Sequence, residues 1–394
     1  MFIFDGPLSM SKSWLNRALI LQFYNSKISF DASSTADDVR HLRQSIDNFQ
    51  SGKDDFYLGE GGTTFRFFCF LVSRLPGKWT MTLHERLMMR PQADLISILN
   101  QLDVKVTFDK SVVTVETNDW VVPEILYCDG SVSSQFMSGL MLNSWNLNHD
   151  LLVELKKPLV SEDYLLLTLD MLRQTGLVIE RTDFAEKIQF KVAKHQVPSR
   201  SALIAELDVS SAFALISAGL IDGKVHITNW SEKSIQPDLA FLKIYDSMGI
   251  KYSVNGNSFQ IEKQGSWKAT NQNLNNCPDL FPVLSVVCAM AEGTSFLFGA
   301  SHLKSKESNR LYKTHELLSL CGFNSEFKDD GLMIHGLSSN LDKSLSVFFD
   351  PDQDHRMAMA AGLMKLLGFN IHILDSEVVN KSYPQFWEHI QVTP

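Results

Sequence analysis

Small polar, glycine and basic residues gather in short clusters, and each cluster leads directly into an apolar segment with helical spacing. Six clusters lie at Lys12, Gly62, Ser133, Ser210, Asp279 and His355. The first turn of a helix has unpaired backbone N–H groups and the positive end of the helix dipole, so it attracts anions. Serines at a helix start are also common N-caps, which explains the Ser133–Ser134 pair without any ligand. The pattern predicts helix starts, and anion binding is the chemistry that they would do.

The first cluster, SKSWLNR, places two cations and two hydroxyl groups in the opening turns of a helix. Ser13 and Arg17 are four residues apart and share one face, close to Lys12. A phosphate group would fit against these side chains. A capped helix with solvated basic residues accounts for the same sequence, so this cluster alone leaves both interpretations open.

The second cluster, GEGGTTFR, is a glycine-rich turn that enters a helix. Only glycine lets a ligand approach the backbone closely, so Gly62 is a candidate for an anion cradle. The segment is not a P-loop, because it has no Gly-Lys-Ser/Thr, and a tight strand-to-helix turn is an equal alternative. Glu60 would oppose a bound anion. Arg90, ahead of Pro91, is either a further anion ligand or part of a surface loop.

The segment around Glu307 is basic, although the chain is acidic overall. Residues 301–313 hold four basic residues and one acid. If the segment is helical, Lys306 and Arg310 are four residues apart, and Glu307 lies among cations that would tune its pKa for proton transfer. A salt-bridged helix face is the alternative.

Three shorter segments complete the set of candidates. His355 and Arg356 open an almost wholly apolar helix. Arginine suits bidentate contact with a carboxylate or phosphate, whereas a lone histidine in this position is more often a cap. Asp279 follows a proline and could simply stabilise the start of its own helix. Lys381 lies in the segment NKSYP.

The elements that position these clusters form a repeat. Successive clusters are 50, 71, 77, 69 and 76 residues apart, and DVSSAF resembles DGSVSSQF in outline. Between the clusters, apolar residues alternate as in strands, for example in residues 104–108 and 224–228. The sequence therefore predicts α/β repeats, and its 394 residues suit two domains.

Composition narrows the classes of function. A net charge of -9 argues against a general nucleic-acid binder, since a phosphate-backbone footprint usually makes a domain basic. No apolar run reaches the roughly 18 residues of a membrane span, and the first residues do not form a secretory or transit peptide. We therefore expect a cytoplasmic protein without membrane contact. The five cysteines have no CxxC spacing and are expected to be buried thiols.

Eleven short motifs carry a resemblance to a known family. In chain order they are SKSWLNRAL, DDVRHL, GEGGTTFR, RLMMRP, DGSVSSQF, VSEDY, DVSSA, PDLFPV, KSKESNRL, DHRMAMA and NKSYP. Together they closely resemble the landmarks of the 5-enolpyruvylshikimate-3-phosphate synthases, across residues 11–384. The resemblance implies an α/β fold of two similar domains, each of three βαβαββ units with helix N-termini facing an interdomain cleft. It assigns residues 11–205 to the first domain and residues 1–10 with 206–394 to the second.

The resemblance also implies a reaction. The enolpyruvyl group of phosphoenolpyruvate would be transferred to the 5-hydroxyl of shikimate 3-phosphate, with release of phosphate and without a metal or organic cofactor. These two small molecules would be the only partners, and we expect a monomer. Shikimate 3-phosphate would contact Lys12, Ser13, Arg17, Ser133, Ser134, Gln135, Ser161, Asp279 and Lys306. Phosphoenolpyruvate would contact Lys12, Gly62, Arg90, Gln135, Arg310, Arg356 and Lys381.

The same resemblance implies catalytic roles. Asp279 would take the proton of the attacking 5-hydroxyl. Glu307 would protonate the methylene carbon of phosphoenolpyruvate and later remove a proton. Lys12 would share in proton transfer and stabilise charge, and His355 would assist.

Several positions depart from the family's usual residues. They are Glu60, Met88, Met89, Glu162, Asp163, His302 and Asn309. Because the matched cationic and proton-transfer positions are retained, these departures bear on affinity more than on the reaction class.

Two alternative functions share the fold. The sister enzyme that adds enolpyruvate to UDP-N-acetylglucosamine carries a reactive cysteine before its Arg-Pro pair, and this chain has none there. A catalytically silent binding module would be expected to lose Lys12, Asp279, Glu307 and Arg356 first, yet all four are present.

Overall fold

The computed structural model describes residues 1–30, 34–337 and 341–394. Its α-helices are α1 (Lys12–Tyr24), α2 (Asp37–Gln50), α3 (Gly62–Ser73), α4 (Glu85–Met88), α5 (Ala93–Gln101), α6 (Ser134–Leu142), α7 (Glu162–Thr175), α8 (Val209–Asp222), α9 (Ala240–Met248), α10 (Phe281–Ala289), α11 (Arg310–Leu320), α12 (His355–Leu366) and α13 (Phe386–His389). Its strands are β1 (Phe2–Gly6), β2 (Asp55–Gly59), β3 (Gly77–Leu83), β4 (Lys105–Asp109), β5 (Val112–Thr117), β6 (Leu126–Asp129), β7 (Leu151–Lys156), β8 (Ile179–Asp183), β9 (Lys187–Val192), β10 (Gly223–Ile227), β11 (Ser253–Asn255), β12 (Ser258–Glu262), β13 (Asn271–Asn273), β14 (Thr294–Phe298), β15 (Ser325–Lys328), β16 (Gly331–His335), β17 (Val347–Phe349) and β18 (Ile371–Ile373). Short 3-10 helices span Pro237–Leu239, Pro278–Leu280, Ser301–Ser305 and Ser376–Lys381. The predicted α/β fold is confirmed.

The chain divides into two compact units. Met10–Ala205 forms the N-terminal unit, and Glu206–Pro394 together with Met1–Ser9 forms the C-terminal unit. Strand β1 belongs to the C-terminal unit because it pairs in parallel with β10. Each unit has its own core of buried apolar side chains.

Four sheets share one topology. The orders are β2-β3-β5-β4 and β6-β7-β9-β8 in the N-terminal unit, and β1-β10-β12-β11 and β13-β14-β16-β15 in the C-terminal unit. In each sheet the first two strands pair in parallel. The last two strands form an antiparallel hairpin that follows a second helix. Parallel pairing needs a crossover. Helices α3, α6 and α10 supply it in three of the sheets, whereas residues 7–222 separate β1 from β10.

The inner strand of each hairpin covers the core of its repeat. It presents two buried apolar side chains on one face, because side chains alternate along a strand. The pairs are Val113 and Val115, Ile188 and Phe190, Phe259 and Ile261, and Leu332 and Ile334, all at most 4% exposed. Helices α3, α8 and α10 contact these inner strands.

Two of the repeats are shorter. In the C-terminal unit, β17 and β18 form a two-stranded parallel sheet. In the N-terminal unit, the repeat of α1 and α2 has, among the described residues, only a parallel bridge between Ser29 and Ala202. Helix α2 ends at Gln50 and β2 of the next repeat begins at Asp55, so the chain between them contains no hairpin. Helices α1 and α2 therefore lack a covering inner strand.

Side-chain amides occupy the rims of two sheets. The amide of Gln101 accepts the backbone N–H of Tyr127 and donates to its carbonyl, both at 2.9 Å. The same two-bond pairing at 2.8–2.9 Å joins Gln196 to Val178, Gln264 to Lys251 and Asn229 to Leu8. Each paired backbone lies in or next to an outermost strand, namely β6, β8, β11 or β1.

The five cysteines are buried thiols without a disulfide, as predicted. Burial raises the pKa of the Cys69 and Cys128 thiols well above their usual range, which keeps them neutral. Within the described ranges, no helix has the length and apolar character needed to cross a membrane.

Candidate active site

Lys12 begins α1, and an acidic residue of α2 holds its ammonium group. Ser11 caps the helix by accepting the backbone N–H of Trp14 at 3.3 Å. The Nζ atom of Lys12 lies 2.9 Å from Oδ2 of Asp38, and both side chains are mostly buried. A charge-assisted hydrogen bond of this length fixes the position of the Lys12 ammonium group. Sequence reasoning gave Asp38 no role, although it lies in the DDVRHL motif.

Arg17 lies further along α1 and is only 1% exposed. Its guanidinium donates to Oγ1 of Thr168 at 2.7 Å, to the carbonyl of Ser13 at 2.6 Å and to the carbonyl of Tyr164 at 2.9 Å. All three acceptors are neutral, and no carboxylate among the described residues forms an ion pair with Arg17. Burial lowers the pKa of Arg17 to about 10. A buried cation with neutral partners is a site that an anion would complete.

The starts of α6 and α7 supply serine hydroxyls. The Ser133 hydroxyl accepts the backbone N–H of Gln135 at 3.2 Å, so Ser133 is an N-cap, although its proton can still be donated. Ser134 is buried. Ser161 has a left-handed backbone, with φ of 53°, and its buried hydroxyl has no hydrogen-bond partner among the described residues. Buried hydroxyls are normally paired, so the Ser161 hydroxyl is available to a ligand or to a water molecule.

Gly62 opens α3 and lies against two polar side chains. A Cβ atom on Gly62 would be 2.8 Å from Oε1 of Gln135 and 3.0 Å from Nη1 of Arg90. The start of α3, the Arg90 guanidinium and the Gln135 amide therefore converge within the N-terminal unit. This arrangement is typical of an anion cradle and favours that interpretation over a simple turn.

Arg66 orients the Gln135 amide. Its buried guanidinium donates to Oε1 of Gln135 at 2.6 Å, to the carbonyl of Pro91 at 3.0 Å and to Oε1 of Gln92 at 3.2 Å. Because Arg66 binds the carbonyl end of the Gln135 amide, the N–H end can donate elsewhere. Sequence reasoning missed Arg66 as a site residue, since these contacts join distant parts of the chain.

Glu60 borders the same cradle. Its Oε1 atom is 3.5 Å from Nδ1 of His84, a contact that is an ion pair only when His84 is protonated. The same nitrogen accepts the backbone N–H of Arg86 at 3.3 Å. Because one ring nitrogen cannot both accept this N–H and donate a proton to Glu60, the cap and the ion pair exclude one another.

In the C-terminal unit, Arg310 joins three carboxylates. It opens α11, is 1% exposed, and lies 2.6 Å from Asp279, 2.7 Å from Asp354 and 2.9 Å from Glu307. Burial lowers the pKa of Arg310, but the carboxylates outweigh burial and hold it well above its usual range. The two predicted proton-transfer groups, Asp279 and Glu307, therefore contact one guanidinium.

Asp354 is the central residue that sequence reasoning missed. It is fully buried and caps α12 by accepting the backbone N–H of Arg356 at 2.9 Å. It also accepts the Ser308 hydroxyl at 3.0 Å, in addition to Arg310. The preference for aspartate at N-caps, directly before the predicted His355, is the signal that could have found it.

Asp279 lies in the 3-10 helix ahead of α10. Its second oxygen is 3.4 Å from Nη2 of Arg356. Burial raises the pKa of Asp279, but the charges of Arg310, Arg356 and Lys306 outweigh burial and hold the pKa well below its usual range. Asp279 is therefore ionised at neutral pH.

The helix considered across Lys306 and Arg310 does not form. Lys306 follows a 3-10 helix with φ of -80° and ψ of -156°, and α11 begins only at Arg310. The Asn309 side chain accepts the backbone N–H of Tyr312 at 3.2 Å and so caps α11 at this point. Lys306 and Arg310 act on Asp279 from different elements rather than from one helix face.

Two further predicted residues lie in the same unit. Lys381 ends a 3-10 helix and donates from Nζ to the carbonyl of Gln353 at 2.7 Å. His355 is buried in the first turn of α12.

His302, a departure from the family's usual residue, is buried beside these charges. It is 7% exposed, and neither ring nitrogen has a hydrogen-bond partner in the described part of the chain. Burial, with the charges of Lys306 and Arg310, lowers the pKa of His302 to about 3. At neutral pH the ring is uncharged and can donate one hydrogen bond and accept another.

Comparison with known proteins decides the family. Residues 27–390 match the family model described as EPSP synthase (3-phosphoshikimate 1-carboxyvinyltransferase). The chain belongs to the EPSP synthase family. It is 30% identical to the 3-phosphoshikimate 1-carboxyvinyltransferase of Dehalococcoides mccartyi over 343 residues, covering 87% of this chain and 79% of that protein. The protein of the same name from Thermococcus kodakarensis is 30% identical over 398 residues, covering 97% and 95%.

Solved structures share the EPSP synthase fold. EPSP synthase from Acinetobacter baumannii matches with a TM-score of 0.73 at 20% identity, covering 99% of this chain and 95% of that chain. The enolpyruvyl transferase NikO from Streptomyces tendae also matches with a TM-score of 0.73, at 14% identity, covering 98% and 94%. At these identities the likeness establishes the fold alone.

Other departures from the usual EPSP synthase residues lie outside the two clusters. Glu162 pairs with Arg181 at 2.6 Å, and Met89 is 70% exposed. Asn309 serves as the cap of α11.

Within each unit, the structure brings part of the predicted set into contact. Gly62, Arg90 and Gln135 meet in the N-terminal unit, where Arg17 contacts the backbone of Ser13. The C-terminal cluster contains Asp279, Glu307, Arg310 and Arg356. Among the described residues, no group of His, Cys, Asp and Glu is suited to hold a metal ion.

Proposed function

We propose that this protein transfers the enolpyruvyl group of phosphoenolpyruvate to the 5-hydroxyl of shikimate 3-phosphate and releases phosphate, a step of aromatic amino-acid biosynthesis. Membership of the EPSP synthase family supports this reaction. The observation that carries the proposal is the buried Arg17 guanidinium, whose described partners are all neutral. A bound anion would stabilise such a cation, and shikimate 3-phosphate has both a phosphate and a carboxylate.

We assign shikimate 3-phosphate to residues of both units. In the N-terminal unit these are Lys12, Ser13, Arg17, Ser133, Ser134, Gln135 and Ser161, and in the C-terminal unit Asp279 and Lys306. The unpartnered Ser161 hydroxyl supports the assignment, because a buried hydroxyl is normally paired.

We assign phosphoenolpyruvate to the cradle at Gly62. Arg90 and Gln135 supply a charge and an amide there, and membership of the EPSP synthase family adds Lys12, Arg310, Arg356 and Lys381 to the proposed contacts. Several cations are needed because the two substrates are both anionic and repel one another.

The chemistry has an addition stage and an elimination stage. In the addition, the 5-oxygen bonds to C2 of phosphoenolpyruvate, its proton passes to Asp279, and Glu307, which enters this step as the carboxylic acid, gives its proton to C3, which becomes a methyl group. In the elimination, Glu307 removes a proton from that methyl group, the bond from C2 to the phosphate oxygen breaks, and the enol ether forms. Positioned carboxylates suit both proton transfers.

Substrate binding would activate Asp279. Its low pKa makes Asp279 a weak base as long as the positive charges of Arg310 and Arg356 stabilise its ionised form. An anionic substrate bound to the two guanidinium groups would weaken their electrostatic stabilisation of ionised Asp279, and the pKa of Asp279 would rise. The base would then gain strength only when the reactants are in place.

The test measures phosphate release by the purified full chain. We expect release from phosphoenolpyruvate only when shikimate 3-phosphate is present. Equal release with UDP-N-acetylglucosamine, or with no acceptor, contradicts the proposal. No release with any acceptor, from protein that binds shikimate 3-phosphate, indicates the catalytically silent module.

We also propose that the enzyme acts as a monomer in the cytoplasm. Light scattering on the purified protein tests the first part, and a dimer mass contradicts it. Cell fractionation tests the second.

A further inference from the structure

A cavity lies beside the two helices that have no covering hairpin. In the complete repeats, the inner hairpin strand places two apolar side chains in the core of the repeat. The described residues of the α1–α2 repeat contain no such strand, and a cavity of about 460 Å³ opens there. Leu19 and Phe23 of α1, Ile46 of α2 and Phe30 form its apolar wall, and the uncharged polar residues Gln22, Ser26 and Gln50 also line it. Small-molecule sites typically have volumes of about 300–1,000 Å³, so the cavity can hold a ligand.

Two opposite charges border this cavity. They are Arg43 and Asp47, both solvent-exposed on the surface of α2. Neither side chain makes a hydrogen bond or ion pair within the described residues, whereas Arg40 on the same helix pairs with Asp37 at 2.6 Å. Arg43 precedes Asp47 by four residues, which is the less favourable order for an ion pair along a helix. Both charges are therefore available to a ligand.

We infer that this cavity binds a free α-amino acid with an apolar side chain. The ligand's carboxylate meets the Arg43 guanidinium, its ammonium group meets the Asp47 carboxylate, and its side chain packs against Leu19, Phe23 and Ile46. Side chains four residues apart on a helix start about 5–6 Å from each other, so both can reach one small zwitterion. A simple anion leaves Asp47 and the apolar wall unused, and an apolar molecule leaves both charges unused.

The site adjoins elements that matter for the reaction. Lys12 is the first residue of α1, Asp38 lies in the first turn of α2, and the two side chains are 2.9 Å apart. A ligand bound between α1 and α2 would change how these helices pack. The change in packing would in turn alter the Lys12–Asp38 contact. The cavity is therefore an effector site, and the coupling between its ligand and the substrates is reciprocal.

Isothermal titration calorimetry on the full chain tests binding without relying on the proposed function. We expect L-phenylalanine or L-leucine to bind with a Kd of about 10 μM to 1 mM. Glycine lacks the apolar group, 3-phenylpropionate lacks the ammonium group and phenethylamine lacks the carboxylate, so each is expected to bind at least about tenfold more weakly. Absence of binding by both amino acids, or equal binding by 3-phenylpropionate, overturns the inference.

Matched variants locate the site. Arg43→Ala and Asp47→Asn are each expected to weaken binding at least about tenfold, while turnover without amino acid stays at the wild-type rate. The double exchange Arg43→Asp with Asp47→Arg is expected to recover part of the binding, because a zwitterion can reverse its ends. Undiminished binding in both single variants overturns the inference. A dimer that Arg43→Ala dissociates shows that a second copy occupies the cavity, and also overturns it.

Steady-state kinetics test the effector role, and this part rests on the proposed function. We expect a saturating amino acid to change kcat, or KM for shikimate 3-phosphate, by about twofold or more in the wild type. The Arg43→Ala variant is expected to show no change at the same concentration. Binding by calorimetry without any kinetic change in an active enzyme refutes the effector role.

Discussion

The substitution Arg17→Met tests two effects of the buried guanidinium separately, namely its cost to the stability of the fold and its contribution to substrate binding. Burial lowers the pKa of Arg17 to about 10, and this fall from its ordinary value, at about 1.4 kcal/mol for each pH unit, corresponds to about 3 kcal/mol of destabilisation. Methionine removes this destabilisation but also loses the hydrogen bonds to Thr168, Ser13 and Tyr164, worth about 1 kcal/mol each. The two effects nearly cancel. We therefore expect the free energy of unfolding to stay within about 1 kcal/mol of wild type.

Binding of shikimate 3-phosphate is expected to change far more. Hydrogen bonds to a charged group are worth about 1.5–3 kcal/mol each. Loss of two of them from a buried guanidinium weakens binding about 100-fold or more. Calorimetry measures the Kd, and urea unfolding with and without the ligand measures the stability.

Arg74→Met is the matched control. Arg74 also lies in the N-terminal unit and its side chain is 9% exposed, but it pairs with Asp119 at 2.9 Å and lies 4.9 Å from the ring centroid of Trp120. We expect this variant to lose about 2 kcal/mol or more of stability and to keep a Kd within about threefold of wild type. If Arg17→Met unfolds as readily as Arg74→Met, or keeps the wild-type Kd, the reasoning about Arg17 is refuted.

Three further predictions address the two clusters. Gly62→Ala is expected to raise KM for phosphoenolpyruvate about tenfold or more, because the new Cβ would lie 3.0 Å from Nη1 of Arg90; an unchanged KM in steady-state assays would show that the cradle is not used. Glu307→Gln and Lys12→Ala are each expected to lower kcat by about 10² or more, and near-wild-type turnover in both would remove the proposed proton transfers. The pKa of Asp279 in the folded protein lies well below its value of about 3.9 in the unfolded chain. The ionised carboxylate therefore stabilises the fold above about pH 3.9, and this stabilisation is lost as the pH falls below that value. Urea unfolding between about pH 5 and pH 3 is therefore expected to show a shallower loss of stability in Asp279→Asn than in wild type, and parallel curves would contradict this.

Helix starts could be predicted because their chemistry is local. Lys12 and Gly62 each begin a helix, and Ser133 caps one. The residues that cap or open a helix lie within a few positions of its first turn, so a short stretch of sequence contains the whole signal.

The contacts that fix the clusters could not be predicted in this way. Arg17 and Thr168 are 151 positions apart, and Arg310 and Asp354 are 44 apart. Their pairing depends on how whole elements pack, and no local pattern records it. The assumed helical register of Lys306 was wrong because Asn309 caps α11 after it.

The missing hairpin did leave a trace in the sequence. The first interval between clusters is 50 residues, whereas the others are 69 to 77, a shortfall of 19 to 27 residues by subtraction. One complete hairpin, β4 to β5, runs from Lys105 to Thr117. The missing length is thus enough to account for one hairpin and its connections. The spacing between clusters therefore shows where a repeat unit lies and also whether that unit has its hairpin.

The four side-chain amides at the sheet rims affect how molecules of this protein behave beside one another. An outermost strand presents unpaired N–H and C=O groups and can recruit a strand from another molecule, which is a route to aggregation. Gln101, Gln196, Gln264 and Asn229 each satisfy one such residue with both a donor and an acceptor. Conversion of any of these amides to a carboxylate, whether by mutation or by deamidation in ageing protein, removes the donor and sets a negative charge against a backbone carbonyl. The rims would then be the first places at which stored or heated protein begins to associate through its strands.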